Sequence, residues 1–196
     1  MAASTERALA DSLMKLLARK TLDKITVRDI TDDCGVNRQT VYYHFQDVYD
    51  LVDWIFVEAS KGYMRDGLTL QNWRVVVRKI RQDLAGNKSF IMNTYYSLNR
   101  RQLDQFMYKL VQPSILALIA QMPQSAALSE EDRAFVADMF TFALCGIVTE
   151  WIARGMPPDD SRRVERSFSL MEGSMEHVLE KLTKEKESNA DGYRRK

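Results

Sequence analysis

Cysteine, proline and glycine are all scarce in this chain, at 2, 4 and 8 of 196 residues. Cys34 and Cys145 sit in apolar helical patterns, so no disulfide framework is expected and the thiols read as buried groups of a reducing compartment. The few prolines and glycines fall mainly at segment ends, which leaves long helical stretches almost everywhere. No run of about 18 uninterrupted apolar residues exists, and a membrane span is not expected. The opening MAASTERALADSL has no basic segment followed by an apolar run, so it is not a secretory leader, and a cytoplasmic location is expected. Histidine is limited to His44 and His177. No GxSxG, Walker-type glycine loop or HExxH is present, and no nucleophile–base arrangement is visible. An enzyme is therefore not expected. The two cysteines and two histidines are too scattered for a recognisable metal site, and no cofactor is implied.

Charge of one sign is missing too. The net charge is +1. Residues 1–60 carry seven Lys/Arg and ten Asp/Glu, and 7 − 10 = −3. A blanket electrostatic grip on nucleic acid is excluded; a local one is not. Asp32 and Asp33 close one helix, while Asp47, Asp50 and Asp53 open another, where carboxylates suit the helix dipole.

What is present is concentrated in TVRDITDDCGVNRQTVYYHF, residues 26–45. Thr26 with Asp29 three residues on has the form of a capping box. Val27, Ile30 and Cys34 then share one helical face. Gly35 follows, where a left-handed residue ends a helix. Asn37 is placed to cap the next helix, whose inward residues are Val41 and Phe45. Arg38, Gln39, Thr40, Tyr42, Tyr43 and His44 are left pointing outward. Two adjacent aromatics with no core to enter suit a helix that meets phosphates and base edges.

This stretch resembles the DNA-binding signature of the TetR family of bacterial transcription regulators. The resemblance is carried by Thr26 to Asp29, Gly35-Val36, Thr40, the run Tyr42-Tyr43-His44-Phe45, and Asp47 to Leu51, and it is specific over roughly residues 5–55. It implies an all-α fold of about nine helices. Residues 1–46 would form a small three-helix helix-turn-helix DNA-binding domain. Residues 47–185 would form a larger helical effector and dimerisation domain, with the fourth helix as connector and 186–196 as a mobile tail. One departure stands out. Many family members have a lysine just after the His-Phe pair, and here Gln46 and Val48 occupy those positions, so that phosphate contact is weakened or lost.

Further along, helices are expected from Trp73 to Leu84, from Lys88 to Leu98, and over Arg100 to Gln121, where Pro113 should break or kink the run. Ser129 and Asp132 have the form of a second capping box, opening a long apolar helix to Arg154. In the last helix Val164, Phe168, Met171, Met175, Val178 and Leu182 keep heptad spacing up to a charged tail from about Lys184. Asn72-Trp73, Asn87-Lys88 with Phe90, and GIVTEWIARGM at 146–156 look like the C-terminal domain of a branch of the family. That branch includes activators of dihydroxyacetone-kinase operons, which work with a partner that senses the ligand.

The expected DNA contacts are Arg38, Gln39 and Thr40 to bases, Tyr42, Tyr43 and His44 to the backbone, and Thr26 with Arg28 on a phosphate. TetR-like proteins dimerise through their last two helices. A homodimer interface is expected from Phe135, Met139, Phe142 and Gly146 on one helix, and from Val164, Phe168, Met171, Met175 and Val178 on the next. Trp73, Phe90, Tyr95, Tyr96, Phe106, Met107, Phe140 and Trp151 are candidate walls of a pocket for a small-molecule effector. The same residues would also suit an ordinary helical core. Expected partners are double-stranded operator DNA, a second copy of the chain, and a small molecule or effector-sensing protein. The competing reading is a helical adaptor of the same fold that acts through protein–protein contacts; the net −3 and the missing lysine favour it, and the intact run Arg38 to His44 disfavours it.

Overall fold

A computed structural model describes the backbone of residues 2–64, 67–98, 100–158 and 161–194. It describes the side chains within 5–63, 67–98, 101–158, 166–167, 169–171, 173–186 and 188. Among these residues there is no strand. Nine α-helices run in order: α1 (Ala2–Leu17), α2 (Val27–Cys34), α3 (Arg38–His44), α4 (Val48–Met64), α5 (Trp73–Gly86), α6 (Lys88–Tyr95), α7 (Arg100–Ile119), α8 (Glu130–Ala153) and α9 (Ser161–Arg194). Short 3-10 turns lie at Leu22–Lys24 and Pro123–Ala127.

The chain divides into two compact units. The first is Met1–Arg65 with Gln82–Phe106. Its core is the inward face of α1, with Leu9, Leu13 and Leu17, closed by Ile30 of α2, Val41 of α3, and Leu51 and Val52 of α4, all buried. Each such side chain contributes about 1.5–3 kcal/mol through removal from water. Phe56 of α4 meets Phe90 of α6 and Phe106 of α7 at ring-centroid distances of 5.3 and 4.8 Å. The Tyr63 hydroxyl donates to Asp83 at 2.7 Å, fastening the end of α4 to the residues that close α5. Burial and that carboxylate both push the phenol upward from its ordinary pKa.

Polar side chains bind α6 to the end of α1. The Asn93 amide donates to the Leu17 carbonyl at 2.7 Å, and Ser97 Oγ accepts from the Leu22 amide at 2.9 Å. Asn93, at the edge of an otherwise apolar pattern, is thereby half-buried and satisfied.

The second unit is Asp66–Arg81 with Met107–Lys196. Ile115 and Ile119 of α7, Val136, Ala137 and Leu144 of α8, and Met175 and Leu179 of α9 form its core. The Ser129–Asp132 capping box starts α8 as expected. Arg133 donates to the carbonyls of Ser125 and Leu128 at 3.1 and 2.8 Å, tying down the preceding turn. Gly155 (φ 80°) and Met156 (φ 53°) end the helix, with the Met156 amide donating to the Trp151 carbonyl. By length and composition α8 is apolar enough to cross a membrane, yet 44% of that stretch is buried within the protein.

Two local expectations differ from the structure. Pro113 lies inside a continuous α7, so of the expected break or kink the break is absent. The last helix runs past Lys184 to Arg194, its Lys/Glu-rich residues being good helix formers, with Lys181 and Glu185 paired one turn apart.

Candidate nucleic-acid interface

The residues around α3 obey the local rules that the sequence announces. Thr26 caps α2: its hydroxyl accepts from the Asp29 amide at 3.2 Å, while Asp29 accepts from the Thr26 amide at 2.7 Å. Those bonds, with Lys20 at 3.2 Å, lower the Asp29 carboxyl from its ordinary 3.8 to about 2. Gly35 ends α2 with φ 72°, the left-handed region open to glycine. Asn37 caps α3, its side-chain oxygen accepting from the Thr40 amide at 2.8 Å and from the Thr40 hydroxyl at 3.0 Å.

These caps fix the rotation of α3 about its axis. Val41 and the following Phe45 enter the core, and the opposite face is left outside. Tyr42 is 59% and Tyr43 84% exposed; Arg38 and Gln39 are exposed and Thr40 half-buried. An exposed face with a cation, an amide, a hydroxyl and two phenols offers donors and stacking surfaces to a duplex.

Other members of the predicted set are already engaged. The Thr26 hydroxyl is held in its capping box, and Arg28 lies 3.4 Å from Asp32, one turn on. His44 is not turned outward with the tyrosines. Its side chain is only 10% exposed and its Nδ1 lies 3.4 Å from Glu6 Oε1 of α1. Periodicity places residue 44 on the outer edge of α3, but α1 passes close enough there to cover it. Sequence reasoning missed Glu6, because nothing local marks a carboxylate 38 positions upstream as this imidazole's partner.

At the start of α4, Asp50 accepts from the Gln46 amide at 3.0 Å, and Asp47 accepts from the Asp50 amide at 2.9 Å. Gln46 and Val48 bring no cation to that corner.

On α8, Phe135, Met139 and Phe142 are exposed in a row, at 60%, 45% and 64%. Gly146 continues the row, and a Cβ there would meet nothing within 4 Å. The α9 heptad behaves otherwise. Met175 is buried in the core of its own unit, with Met171, Val178 and Leu182 packed against that core. These residues therefore face their own chain; a heptad identifies a shared face, and α8 of the same chain covers this one. Val164 and Phe168 lie outside the described side chains. Among the described side chains of α9, the exposed large apolar residue is Leu170, which the heptad leaves out.

The candidate pocket residues fall in both units. In the first, Phe90 and Phe106 are packed on Phe56, Tyr95 is half-buried, and Tyr96 is exposed. In the second, Phe140 and Trp151 are buried, Met107 is half-buried, and Trp73 lines an apolar cavity of about 30 Å³ with Leu70, Ile115, Leu144 and Met171 among its other walls. That volume is about one water molecule's share of liquid. Neither cysteine is in a disulfide; both are half-buried. Among the described residues no group of three or more His, Cys, Asp or Glu side chains is arranged to hold a metal ion.

Comparison with known proteins agrees with this geometry. Residues 9–53 match the family model described as bacterial regulatory proteins, tetR family. Residues 71–173, more than half of the chain, match that of a transcriptional regulator C-terminal region. A curated relative is the HTH-type dhaKLM operon transcriptional activator DhaS of Lactococcus lactis subsp. lactis (strain IL1403). It is 22% identical over 153 residues, covering 77% of this chain and 81% of that protein. A solved structure of the dihydroxyacetone kinase operon activator DhaS superposes with a TM-score of 0.64 at 20% identity, over 90% of this chain and 96% of that one. With its helix-turn-helix and its C-terminal region both matched, this chain belongs to the TetR family of bacterial transcriptional regulators.

Proposed function

We propose that this regulator binds a pseudo-palindromic operator as a homodimer, with α3 of each subunit in the major groove. The observation that carries the reading is the outer face of α3, where Tyr42 and Tyr43 stand in solvent while Val41 and Phe45 lock the helix from behind. Arg38 and Gln39 pair with guanine and adenine edges, and Thr40 meets a thymine methyl. Tyr42, Tyr43, Thr26 and Arg28 touch the backbone, Arg28 exchanging its exposed Asp32 partner for a phosphate. Two such helices about one helical turn apart would read two half-sites.

The self-contact is the exposed row Phe135, Met139, Phe142 and Gly146 of α8, joined by Leu170 of α9. Large apolar side chains lined up in water at helical spacing favour burial against another copy. The 30 Å³ cavity does not accommodate an effector as it stands. Control comes from a small molecule or from a partner protein. The relative of similar length is named as an operon activator, and activation is the proposed direction.

Selection of duplexes from a random pool tests this reading. A palindromic consensus is the expected result. No enrichment at low salt would sink it in favour of an adaptor acting through protein contacts, which the net −3 of residues 1–60 and the absent lysine at 46 and 48 support.

A further inference from the structure

The exposed face of α8 is matched to itself end for end. Phe135, Met139 and Phe142 stand exposed in a row, and Gly146 follows them on the same side of the helix. Phe135 and Gly146 point within about 20° of one another at 3.6 residues per turn. The midpoint of the row falls between Phe140 and Thr141, with Phe135 and Gly146 equally far from it, and Met139 and Phe142 likewise. One end therefore carries a phenylalanine and the other no side chain at all. Gly146 is helical, and a Cβ there would meet nothing within 4 Å of its own chain. Beside the row, half-buried Asp138 accepts from the Tyr108 hydroxyl of α7 at 2.7 Å, and the Tyr108 ring lies 5.7 Å from that of Phe142. That carboxylate is satisfied within its own subunit, and the position mirroring it is Ala143, exposed and without a polar group. Glu131 and Glu150, also exposed, lie equally far beyond the two ends, a charged rim to an apolar centre.

We infer that α8 pairs antiparallel with α8 of a second copy, about a two-fold axis through the point between Phe140 and Thr141, so that Phe135 of each subunit fills the space over Gly146 of the other. The inference rests on the homodimer reading above and gives it a register. In a two-fold contact residue i meets j while j meets i. A crossing at that midpoint sets both Phe135–Gly146 pairs and both Met139–Phe142 pairs opposite each other at once. A parallel pairing would set Phe135 against Phe135 and Gly146 against Gly146, large on large and empty on empty. A partner of different sequence gives no reason for one half of the row to complement the other. At about 150–250 Å² per aromatic side chain, the exposed parts of Phe135 and Phe142 from two copies bring about 400–600 Å² of apolar surface. That suits the apolar centre of a standard interface of about 1,600 Å², most of whose remaining area is polar rim.

Sedimentation of the full chain tests the register. Gly146→Leu adds bulk where the subunit itself has room, so the helical signal should persist while the dimer dissociation constant rises at least about tenfold. Phe135→Ala should raise it similarly. The two changes in one chain should leave it within about tenfold of the parent, since the leucine takes the vacated space; independent effects would multiply. Cross-linking reads the same geometry in a chain with Cys34→Ser and Cys145→Ser. Phe135→Cys with Gly146→Cys should oxidise to a linked dimer, and Phe135→Cys alone should not. In this register the two copies of position 135 stand about 16 Å apart along the helix axis, beyond the roughly 7 Å that a disulfide spans. A dimer indifferent to Gly146→Leu, a multiplied loss in the double variant, or cross-linking by Phe135→Cys alone would overturn the register and leave the homodimer standing. A parent that stays monomeric at every concentration would overturn both and give this face to a different protein.

Discussion

The side-chain amide of Asn93 donates to the carbonyl of Leu17 at 2.7 Å, joining two residues 76 positions apart. It satisfies one of the carbonyls that α1 leaves open at its C-terminus. Four residues on, Ser97 serves the 3-10 turn at Leu22–Lys24 and donates to the Asn93 carbonyl at 2.7 Å. The end of α6 is thus bolted to the helix on which α2 and α4 are packed. Asn93→Ala and Ser97→Ala should each lower unfolding free energy by about 1 kcal/mol in a denaturant melt. Because both fasten one helix, the double variant should lose less than the sum of the singles; strict additivity would mean that the two bonds act independently.

Sequence preference should reside in Gln39. Gln39→Ala is expected to relax selection at one base position per half-site by about 1–3 kcal/mol. Tyr42→Phe should weaken binding alike at every sequence. Selection experiments on the variants check both, and an unchanged consensus for Gln39→Ala would show that another residue reads the bases.

Gly35 has open space around its Cα but a φ of 72°. Gly35→Ala should therefore destabilise through backbone strain rather than a clash, by about 1–2 kcal/mol, seen as a lower Tm. Gly35→Asn should cost less, since asparagine tolerates the left-handed region.

Asp29 predicts an acid limb. Bonds from Thr26 hold its carboxyl at about 2, below the ordinary 3.8. A depressed folded-state value means that the stabilisation is complete above the unfolded value and is lost as pH falls from about 3.8 toward 2. The stability difference between the parent chain and Asp29→Asn should be constant near neutral pH and change across that acid window. A difference indifferent to pH would contradict the assignment.

Phe135→Glu should convert a dimer to a monomer in sedimentation experiments without altering the fold, because the side chain is exposed in the subunit. A Met171→Ala variant should behave oppositely, losing stability while keeping its oligomeric state, since Met171 packs on its own core. If Met171→Ala dissociates the subunits and Phe135→Glu does not, the interface lies on the heptad of α9.

Caps and turns were legible residue by residue. Thr26–Asp29, Gly35, Asn37 and Ser129–Asp132 all act within four positions of themselves, so the chain needs no distant partner to set them. The two faces of α3 follow from those caps and from Val41 and Phe45. Packing partners were not legible in the same way. The spacing of Met171, Met175 and Val178 specifies a stripe, and an apolar stripe is equally stable against its own chain or another. Only the approach of α8 decided which one covers it. His44 turned from the outer face toward Glu6, and Asn93 found Leu17, because the chain brought α1 alongside α3 and α6. Helix signals are short-ranged and are written in neighbouring residues. The burial of a face or the pairing of a charge depends on what the folded chain sets opposite it, at separations that no local pattern encodes.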